Sequence, residues 1–484
     1  MTLNPPGPDL LARLAARLGP RGFTRDPEAM AAWETDWRGR VRGSAAALLA
    51  PADTDEVAFV LREAGAARVG IVPQGGNSSM VAGATPSPAG GELLLSLRRM
   101  NAIRSVSAAD NLAVAEAGVI LADLHAAAEG AGRRFPLSLA AKGSATVGGL
   151  VSANAGGTQV LRVGTMRALV AGIEAVLPDG SRIDGLAGLR KDNRGYDVGQ
   201  LLIGGEGTLG IVTAAALRLV AAAPQRAVAW VGIEEPAHAL ALLRRLEEAL
   251  GEIVESFELV PADALALVLA HVPGTRPPLA AAYRWNVLIE VAAAAAAPPP
   301  GDALESALAT AIEAGLATDA VLAASGRQAD ALWRLRESIS EAERVDGMAA
   351  KHDVSVPVSA MPGFIVQTRG LVEARFPGAR VIAFGHLGDG NVHFNVRAPV
   401  GADDRAWFAA EAGAVTAFVH DAVTAAGGSI SAEHGIGLLK RDEFARLVDP
   451  ARAAAMRAIK AALDPAGIMN PGKLLPLAEA AAAP

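Results

Sequence analysis

Ile71-Val72-Pro73-Gln74-Gly75-Gly76-Asn77-Ser78-Ser79 reads as a short strand ending in a tight glycine loop. Bare backbone N–H groups and hydroxyls at such a turn can surround a phosphate. Taken alone, the stretch is an ordinary glycine turn. Two further stretches change that reading. One is Gly143-Ser144-Ala145-Thr146-Val147-Gly148-Gly149, which runs on to Ser152-Ala153-Asn154-Ala155-Gly156-Gly157; the other is Gly204-Gly205-Glu206-Gly207-Thr208-Leu209-Gly210-Ile211-Val212. Three separate loops of exposed backbone point to a long ligand carrying more than one phosphate. None opens with the Gly-x-Gly-x-x-Gly of a dinucleotide-binding βαβ unit, which argues against NAD.

Around these loops, from about Ala46 to Val220, short Val/Ile/Leu runs alternate with glycine turns and helical patterns such as Asp55 to Ala64, a mixed α+β texture. A helix-like stretch, Pro8 to Leu18, precedes a polar segment with Trp33, Asp36 and Trp37 that packs onto this body. After Pro224 long Ala/Leu/Glu/Arg helices are separated by strands, among them Ala229-Trp230-Val231-Gly232-Ile233 and Trp285 to Val291. The expected organisation is an N-terminal segment 1–45, a ligand-binding domain 46–223, a cap domain 224–428 and a C-terminal segment 429–484. The low-complexity run Ala292 to Gly301 reads as a surface loop. A final helical region spans Arg441 to Leu463 and leads to Asn470-Pro471-Gly472-Lys473, and the tail Ala478 to Pro484 is expected to fray.

A chain of 484 residues exceeds one ordinary core, at roughly 150 residues per domain. No apolar run approaches the ~18 residues that span a bilayer, and the first residues, Met1-Thr2-Leu3-Asn4-Pro5-Pro6, show neither a basic nor an apolar signal region, so a cytoplasmic, non-membrane-spanning protein is expected. The absence of cysteine excludes disulfides, thiolate metal sites and a cysteinyl cofactor link. A net charge of −7 without a long basic block argues against nucleic acid as a partner.

The second half carries the chemistry. Val381-Ile382-Ala383-Phe384-Gly385-His386-Leu387-Gly388-Asp389-Gly390-Asn391-Val392-His393-Phe394-Asn395-Val396 reads as two strands about an Asp-Gly turn. With Asp389-Gly390 as a two-residue loop, His386 faces His393, and directly opposed Cβ atoms about 4.5–5.5 Å apart suit two nitrogen ligands on one metal. The plain alternative is a pair of strand histidines satisfied by hydrogen bonds. Ser429-Ile430-Ser431-Ala432-Glu433-His434-Gly435-Ile436-Gly437 supplies a third ligand, Glu433, and His434, its neighbour in extended chain, points elsewhere. A two-His, one-carboxylate site with an open position suits zinc, manganese or iron(II). In Leu332-Trp333-Arg334-Leu335-Arg336-Glu337-Ser338-Ile339-Ser340, Arg336 and Ser340 lie one helical turn apart, and Lys351 opens a strand-like run, Lys351-His352-Asp353-Val354-Ser355-Val356-Pro357. Two cations and a hydroxyl can hold a substrate carboxylate.

The order of Pro73-Gln74-Gly75-Gly76-Asn77, Gly143 to Gly157, Leu189-Arg190-Lys191-Asp192-Asn193 and Gly204 to Val212 resembles the vanillyl-alcohol-oxidase/p-cresol-methylhydroxylase type of FAD protein. That resemblance implies an α+β fold: a two-subdomain FAD-binding domain, an α+β substrate cap domain and a C-terminal helical segment closing over the flavin. It implies FAD contacts from Pro73, Gly75, Gly76, Asn77, Ser78, Ser79, Gly143, Ser144, Thr146, Gly148, Gly149, Ala153, Asn154, Glu206, Gly207, Gly210, Ile211, Val212 and Asn470. Asn77 stands where some relatives carry a tethering histidine, so non-covalent FAD is expected.

Gly385 to His393 and Ala432-Glu433-His434-Gly435-Ile436-Gly437 are similar to motifs of the FAD-dependent D-2-hydroxy-acid dehydrogenases, and Arg336, Ser340 and Lys351 resemble the members acting on D-2-hydroxyglutarate. Ser340 departs from the expected threonine but keeps its hydroxyl. The family resemblance implies zinc on His386, His393 and Glu433, catalysis by His434, and substrate held by Arg336, Ser340, Lys351, Asn395 and His434. It implies a small 2-hydroxy acid, a dicarboxylate, as substrate, a protein or quinone electron acceptor, and a homodimer. D-lactate or glycolate dehydrogenase of the same family is the nearest alternative, followed by a transferase of the alkylglycerone-phosphate-synthase kind and a flavin-binding subunit without catalysis.

Overall fold

A computed structural model describes residues 3–476. The chain divides into two compact units, one made of Met1–Gly157, Gly164–Ala221 and Glu433–Pro484, the other of Thr158–Val163 and Ala222–Ala432. The first division therefore falls after Ala221 rather than after 223, and a short excursion, Thr158–Val163, belongs with the second unit. The second division falls after Ala432 rather than after 428. Its cause is backbone pairing: Ser429 and Ser355 exchange hydrogen bonds of 2.8 and 3.0 Å, and the Ala432 N–H donates to Asp353 O at 3.4 Å. The tail Ala478 to Pro484 lies outside the described residues. No described helix is long and apolar enough to cross a membrane.

The first unit holds two main sheets. Strands β1 (Phe23–Thr24), β2 (Ala45–Leu49), β3 (Ile71–Gln74) and β4 (Glu92–Ser96) assemble in the order β1-β2-β4-β3, with β2, β4 and β3 parallel. Helix Thr54–Ala67 makes the crossover between β2 and β3. The Asp53 side chain caps its start, and Val57, Ala58, Val60, Leu61 and Ala64 form its buried face. The N-terminal segment is no separate body: helix Pro8–Gly22 sends Leu10, Leu11, Leu14 and Leu18 into the same core. The C-terminal segment joins it too, through Ile468 and Met469, and Ile71 donates to Ile468 O at 2.7 Å while accepting from Asn470 N at 2.8 Å.

The second sheet uses β5 (Ile103–Ser107), β6 (Leu112–Glu116), β8 (Val170–Val176), β9 (Arg182–Asp184) and β10 (Ile211–Arg218) in the antiparallel order β5-β6-β10-β8-β9. A small ribbon pairs β7 (Arg133–Arg134) with β11 (Val220–Ala221). Glu174 on β8 stitches these elements together. Its carboxylate accepts from Arg104 on β5 at 3.2 Å, from Thr213 on β10 at 2.7 Å and from Thr54 of the crossover helix at 2.7 Å.

The second unit is built on one seven-stranded sheet: β12 (Gln225–Ile233), β13 (Val254–Pro261), β14 (Trp285–Ala293), β15 (Asp319–Leu322), β16 (Ala349–Ser355), β17 (Arg380–His386) and β18 (Asn391–Arg397), in the order β15-β12-β14-β13-β17-β18-β16. Side chains alternate between its faces. Phe257, Leu259, Ala350, Val354, Val381, Ala383, Val392, Phe394 and Val396 enter a core with helices Pro236–Leu250, Pro300–Glu313, Met361–Arg375 and Asp404–Ala425. The other face meets helices Ala262–His271, Gly326–Glu337 and Ile339–Asp346.

Two expectations are corrected. The Ala292 to Gly301 run is a loop only over residues 294–299: β14 continues through Ala293 and a helix starts at Pro300. Arg441 to Leu463 is two helices, Arg441–Leu447 and Pro450–Leu463, broken where Pro450 cannot continue the first helix and Asp449 caps the second.

Burial tends to raise the pKa of Glu174, but its hydrogen bonds to Arg104, Thr213 and Thr54 and the Arg104 charge bring it below the usual glutamate value. A lowered carboxylate pKa contributes stability that is complete above the unfolded value, ~4.3, and is lost as pH falls through the native value. Glu174→Gln should therefore cost roughly 1.5–3 kcal/mol at pH 7, and in denaturation of the full chain the gap to wild type should close below about pH 4. An equal gap at both pH values would contradict this role.

Candidate functional site

In the first unit the three glycine loops meet. A Cβ on Gly76 would lie 1.7 Å from Ser144 O, one on Gly75 2.4 Å from Thr146 Oγ1, and one on Gly207 2.4 Å from Pro73 Cγ. Packing of loop on loop thus explains part of the glycine content. It does not explain Gly143, where a Cβ would meet nothing within 4 Å. Between the loops lies a cavity of about 640 Å³, within the range of cofactor sites. Its wall includes Pro73, Gly75, Gly76, Asn77, Ser78, Ser79, Gly143, Ser144, Thr146, Gly148, Gly149, Ala153, Glu206, Gly207, Gly210, Ile211 and Val212.

Two residues expected to touch the ligand, Asn154 and Asn470, are not part of that wall and hold backbone instead. Asn154 ends helix Val147–Ala153 in the left-handed conformation, and its Oδ1 accepts from Thr165 Oγ1 and Arg167 N, both at 2.9 Å. Asn470 donates to Gly83 O at 2.9 Å and Glu206 O at 2.8 Å. Asn77 does both: it borders the cavity and donates to Thr35 O at 2.9 Å.

Glu433 and His434 also border the cavity. Their loop is held by Glu206, whose carboxylate accepts from Ile436 N at 2.8 Å and Gly437 N at 2.7 Å. Gly435 and Gly437 have φ of +78° and +53°. Burial raises the Glu206 pKa, against the two N–H donors and the Lys440 charge. Sequence reading missed Trp37, Leu139 and Ser152, which also line the cavity: Ser152 lies within one of the glycine-rich stretches, Trp37 reads only as part of a packing segment, and Leu139 carries no motif signal.

In the second unit the hairpin differs from its expected register. A two-residue type I′ turn needs positive φ at both residues, and of Asp389 and Gly390 only Gly390, at +80°, has it. The chain takes a four-residue loop, 387–390, in which Asp389 and Gly390 N–H both donate to His386 O and Asp389 Oδ1 accepts from Asn391 N. His386 therefore pairs with Asn391, and His393 with Phe384. A slip of two residues preserves the face, so the histidines become diagonal neighbours, with ring centroids 5.5 Å apart. The direct opposition is wrong; the shared face is right.

That face gathers most of the remaining candidates. Glu258 pairs with His386 across β13 and β17, Asp353 with His393, and Lys351 with Asn395 across β16 and β18. His352 alternates to the opposite side, where Phe394 O takes its Nδ1 at 2.7 Å. Two buried glutamates organise the cations. Glu258 accepts from His386 Nδ1 at 2.7 Å and from Arg336 Nε at 2.8 Å. Glu343 accepts from Asn395 Nδ2 at 2.7 Å, with Lys351 Nζ at 3.5 Å. Burial raises the Glu258 pKa, but the charges of His386 and Arg336, the His386 hydrogen bond and the His393 charge take it down to about 2. For Glu343 burial prevails over Lys351, Arg397 and Asn395, and its pKa is raised.

Arg336 is buried, with its guanidinium 4.9 Å from the Phe384 ring centroid. Its Nη2 lies 2.8 Å from Glu258 but outside hydrogen-bond geometry, and has no hydrogen-bond partner. Ser340 does not share its face. The helix is interrupted at Ser338, and Ser340 is exposed on the next helix. The Glu258 signal was present in the sequence as a charge inside the apolar run Phe257-Glu258-Leu259-Val260; Glu343, beside Glu341 on a polar helix, gave none.

Residues 45–185 match the FAD binding domain family, and residues 222–474 match the C-terminal domain of the FAD linked oxidases. The chain belongs to the FAD-linked oxidase family. It is an FAD-dependent dehydrogenase in sequence relationship as well: it is 39% identical over 464 residues to a mitochondrial D-2-hydroxyglutarate dehydrogenase from Bos taurus, covering 95% of this chain and 82% of that protein. A D-2-hydroxyglutarate dehydrogenase from Xanthomonas citri pv. viticola is 38% identical, with 93% of each chain covered. The fold is that of p-cresol methylhydroxylase, whose structure aligns with a TM-score of 0.70 at 14% identity over 97% of both chains.

The loop geometry separates packing from ligand contact. Gly76→Ala should lower both thermal stability and FAD content, because its Cβ would enter Ser144. Gly143→Ala should fold normally and weaken FAD binding, read by flavin fluorescence titration. Equal stability loss in both variants would mean that these loops serve packing alone.

Proposed function

We propose that the chain oxidises D-2-hydroxyglutarate to 2-oxoglutarate, with FAD along the loop cavity and a divalent metal, zinc by family resemblance, on His386, His393 and Glu433. The observation carrying this reading is the polar sheet face of the second unit, where two imidazoles, Arg336, Lys351 and Asn395 occupy one surface. The donor set suits a metal: the Glu258 carboxylate can only accept, so His386 Nδ1 carries a proton, and Nε2 is the nitrogen left to bind a metal. Glu433 follows directly on Ala432, whose N–H is bonded to the strand partner of His393.

When bound, the metal supplies a Lewis acid for the substrate hydroxyl and FAD supplies a hydride acceptor. The residues supply the rest. Arg336 offers Nη1, the guanidinium nitrogen that Glu258 does not hold, to a carboxylate, and Lys351 and Asn395 offer a cation and an amide to the other. His434 accepts the hydroxyl proton as the hydride leaves the same carbon. The FAD is non-covalent in this reading, since the chain has no cysteine and His434 is the one histidine among the described residues that border the cavity. Electrons then pass to a protein or quinone carrier.

A monocarboxylate substrate such as D-lactate is the second reading, favoured by one observation: Lys351 already has a carboxylate neighbour in Glu343. An anaerobic panel of D- and L-2-hydroxy acids, followed by flavin bleaching, decides between them. D-2-Hydroxyglutarate should bleach the flavin fastest and its L form should not, and Lys351→Ala should lower kcat/KM for it by roughly 10²-fold while affecting D-lactate much less. Unchanged diacid turnover in Lys351→Ala would sink the dicarboxylate reading, and no bleaching by any hydroxy acid would sink the dehydrogenase chemistry.

A further inference from the structure

Glu258 is a carboxylate in an apolar strand. It is 1% exposed, its neighbours Phe257, Leu259 and Val260 are core residues, and both of its oxygens are occupied. Oε1 accepts from His386 Nδ1 at 2.7 Å, the direct cross-strand contact set by the β13–β17 register. Oε2 accepts from Arg336 Nε at 2.8 Å. Phe384, on the same face, lies 4.9 Å from the Arg336 guanidinium carbon and 5.0 Å, centroid to centroid, from His393. A buried charge is costly unless it is paired and fully hydrogen-bonded. An apolar or neutral residue would serve the strand equally well, so the charge answers to its two partners.

Resting on the reading above, we propose that Glu258 is a positioning residue that ties the metal ligand to the substrate guanidinium. One oxygen fixes the His386 tautomer, keeping the proton on Nδ1 and presenting Nε2 as the ligand atom. The other, 2.8 Å from both Nε and Nη2 of Arg336, fixes that edge of the guanidinium and leaves Nη1 for a substrate carboxylate. Two sites that would otherwise be set independently share one anion. A carboxamide cannot replace it: glutamine accepts through one atom only, and its NH2 would face an N–H donor of His386 or Arg336.

The test is Glu258→Gln in the full chain, with zinc affinity measured by isothermal titration on metal-stripped protein and, at saturating zinc, KM for D-2-hydroxyglutarate. Zinc affinity should fall roughly 10–100-fold, as expected for loss of a carboxylate behind a ligating histidine, and KM should rise roughly tenfold or more from the loss of a charged partner of Arg336. A variant that binds zinc and substrate as wild type does overturns the proposal. The failure of the underlying reading is separate: wild type that binds no zinc, or His386→Ala that binds it unchanged, overturns the metal assignment and this inference with it. If Glu258→Gln does not fold, 15N spectra of histidine-labelled wild type carry the same question. The resonances lost in His386→Gln should be those of an Nδ1–H tautomer, and an Nε2–H tautomer would contradict the role of Glu258.

Discussion

The two-residue period of an antiparallel strand sets the chemistry of the second unit. Four adjacent strands, β13, β17, β18 and β16, send Phe257, Ala383, Phe394, Val354 and their neighbours to one side, where four helices cover them. The same period delivers Glu258, His386, His393, Asn395 and Lys351 to the other. Because a slip by one residue would exchange the faces, burial of the apolar side keeps these residues on the polar one. Glu258 and Glu343 then hold the cations in place at the level of single hydrogen bonds.

The first unit works by a different constraint, close approach of backbone. Three loops distant in sequence are drawn to within contact of one another, and glycine at 75, 76 and 207 is what lets them pass. The space left between them is lined by backbone and small polar side chains, a wall suited to an extended phosphate-bearing cofactor. Glu206 belongs to one of these loops and holds the backbone of the loop carrying His434. A residue read from the sequence as a cofactor contact therefore also supports a second loop at the cavity wall.

Much of this was legible in the sequence, and the shortfalls have physical causes. The glycine loops, the strand character of Val381 to Val396 and the helix-rich second half all follow from local pattern. The hairpin register did not, because Asp-Gly serves a type I′ turn or a longer loop equally well, and the choice depends on φ at Asp389. Ser340 was misplaced because the helical period was carried through Ser338, where the helix ends. Asn154 and Asn470 were expected at the ligand because they lie in its motifs, yet their side chains satisfy backbone groups. Glu343 was invisible, since nothing local distinguishes a buried helical glutamate from a solvated one.

The claim on which the functional account turns is that the histidines of the polar face are metal ligands rather than hydrogen-bonded strand residues. Anomalous diffraction on crystals grown with zinc, recorded on both sides of the zinc absorption edge, addresses it directly. The account predicts one strong peak per chain at about 2.0–2.2 Å from His386 Nε2, a His393 ring nitrogen and a Glu433 oxygen. A peak elsewhere, or none at these histidines, would contradict it.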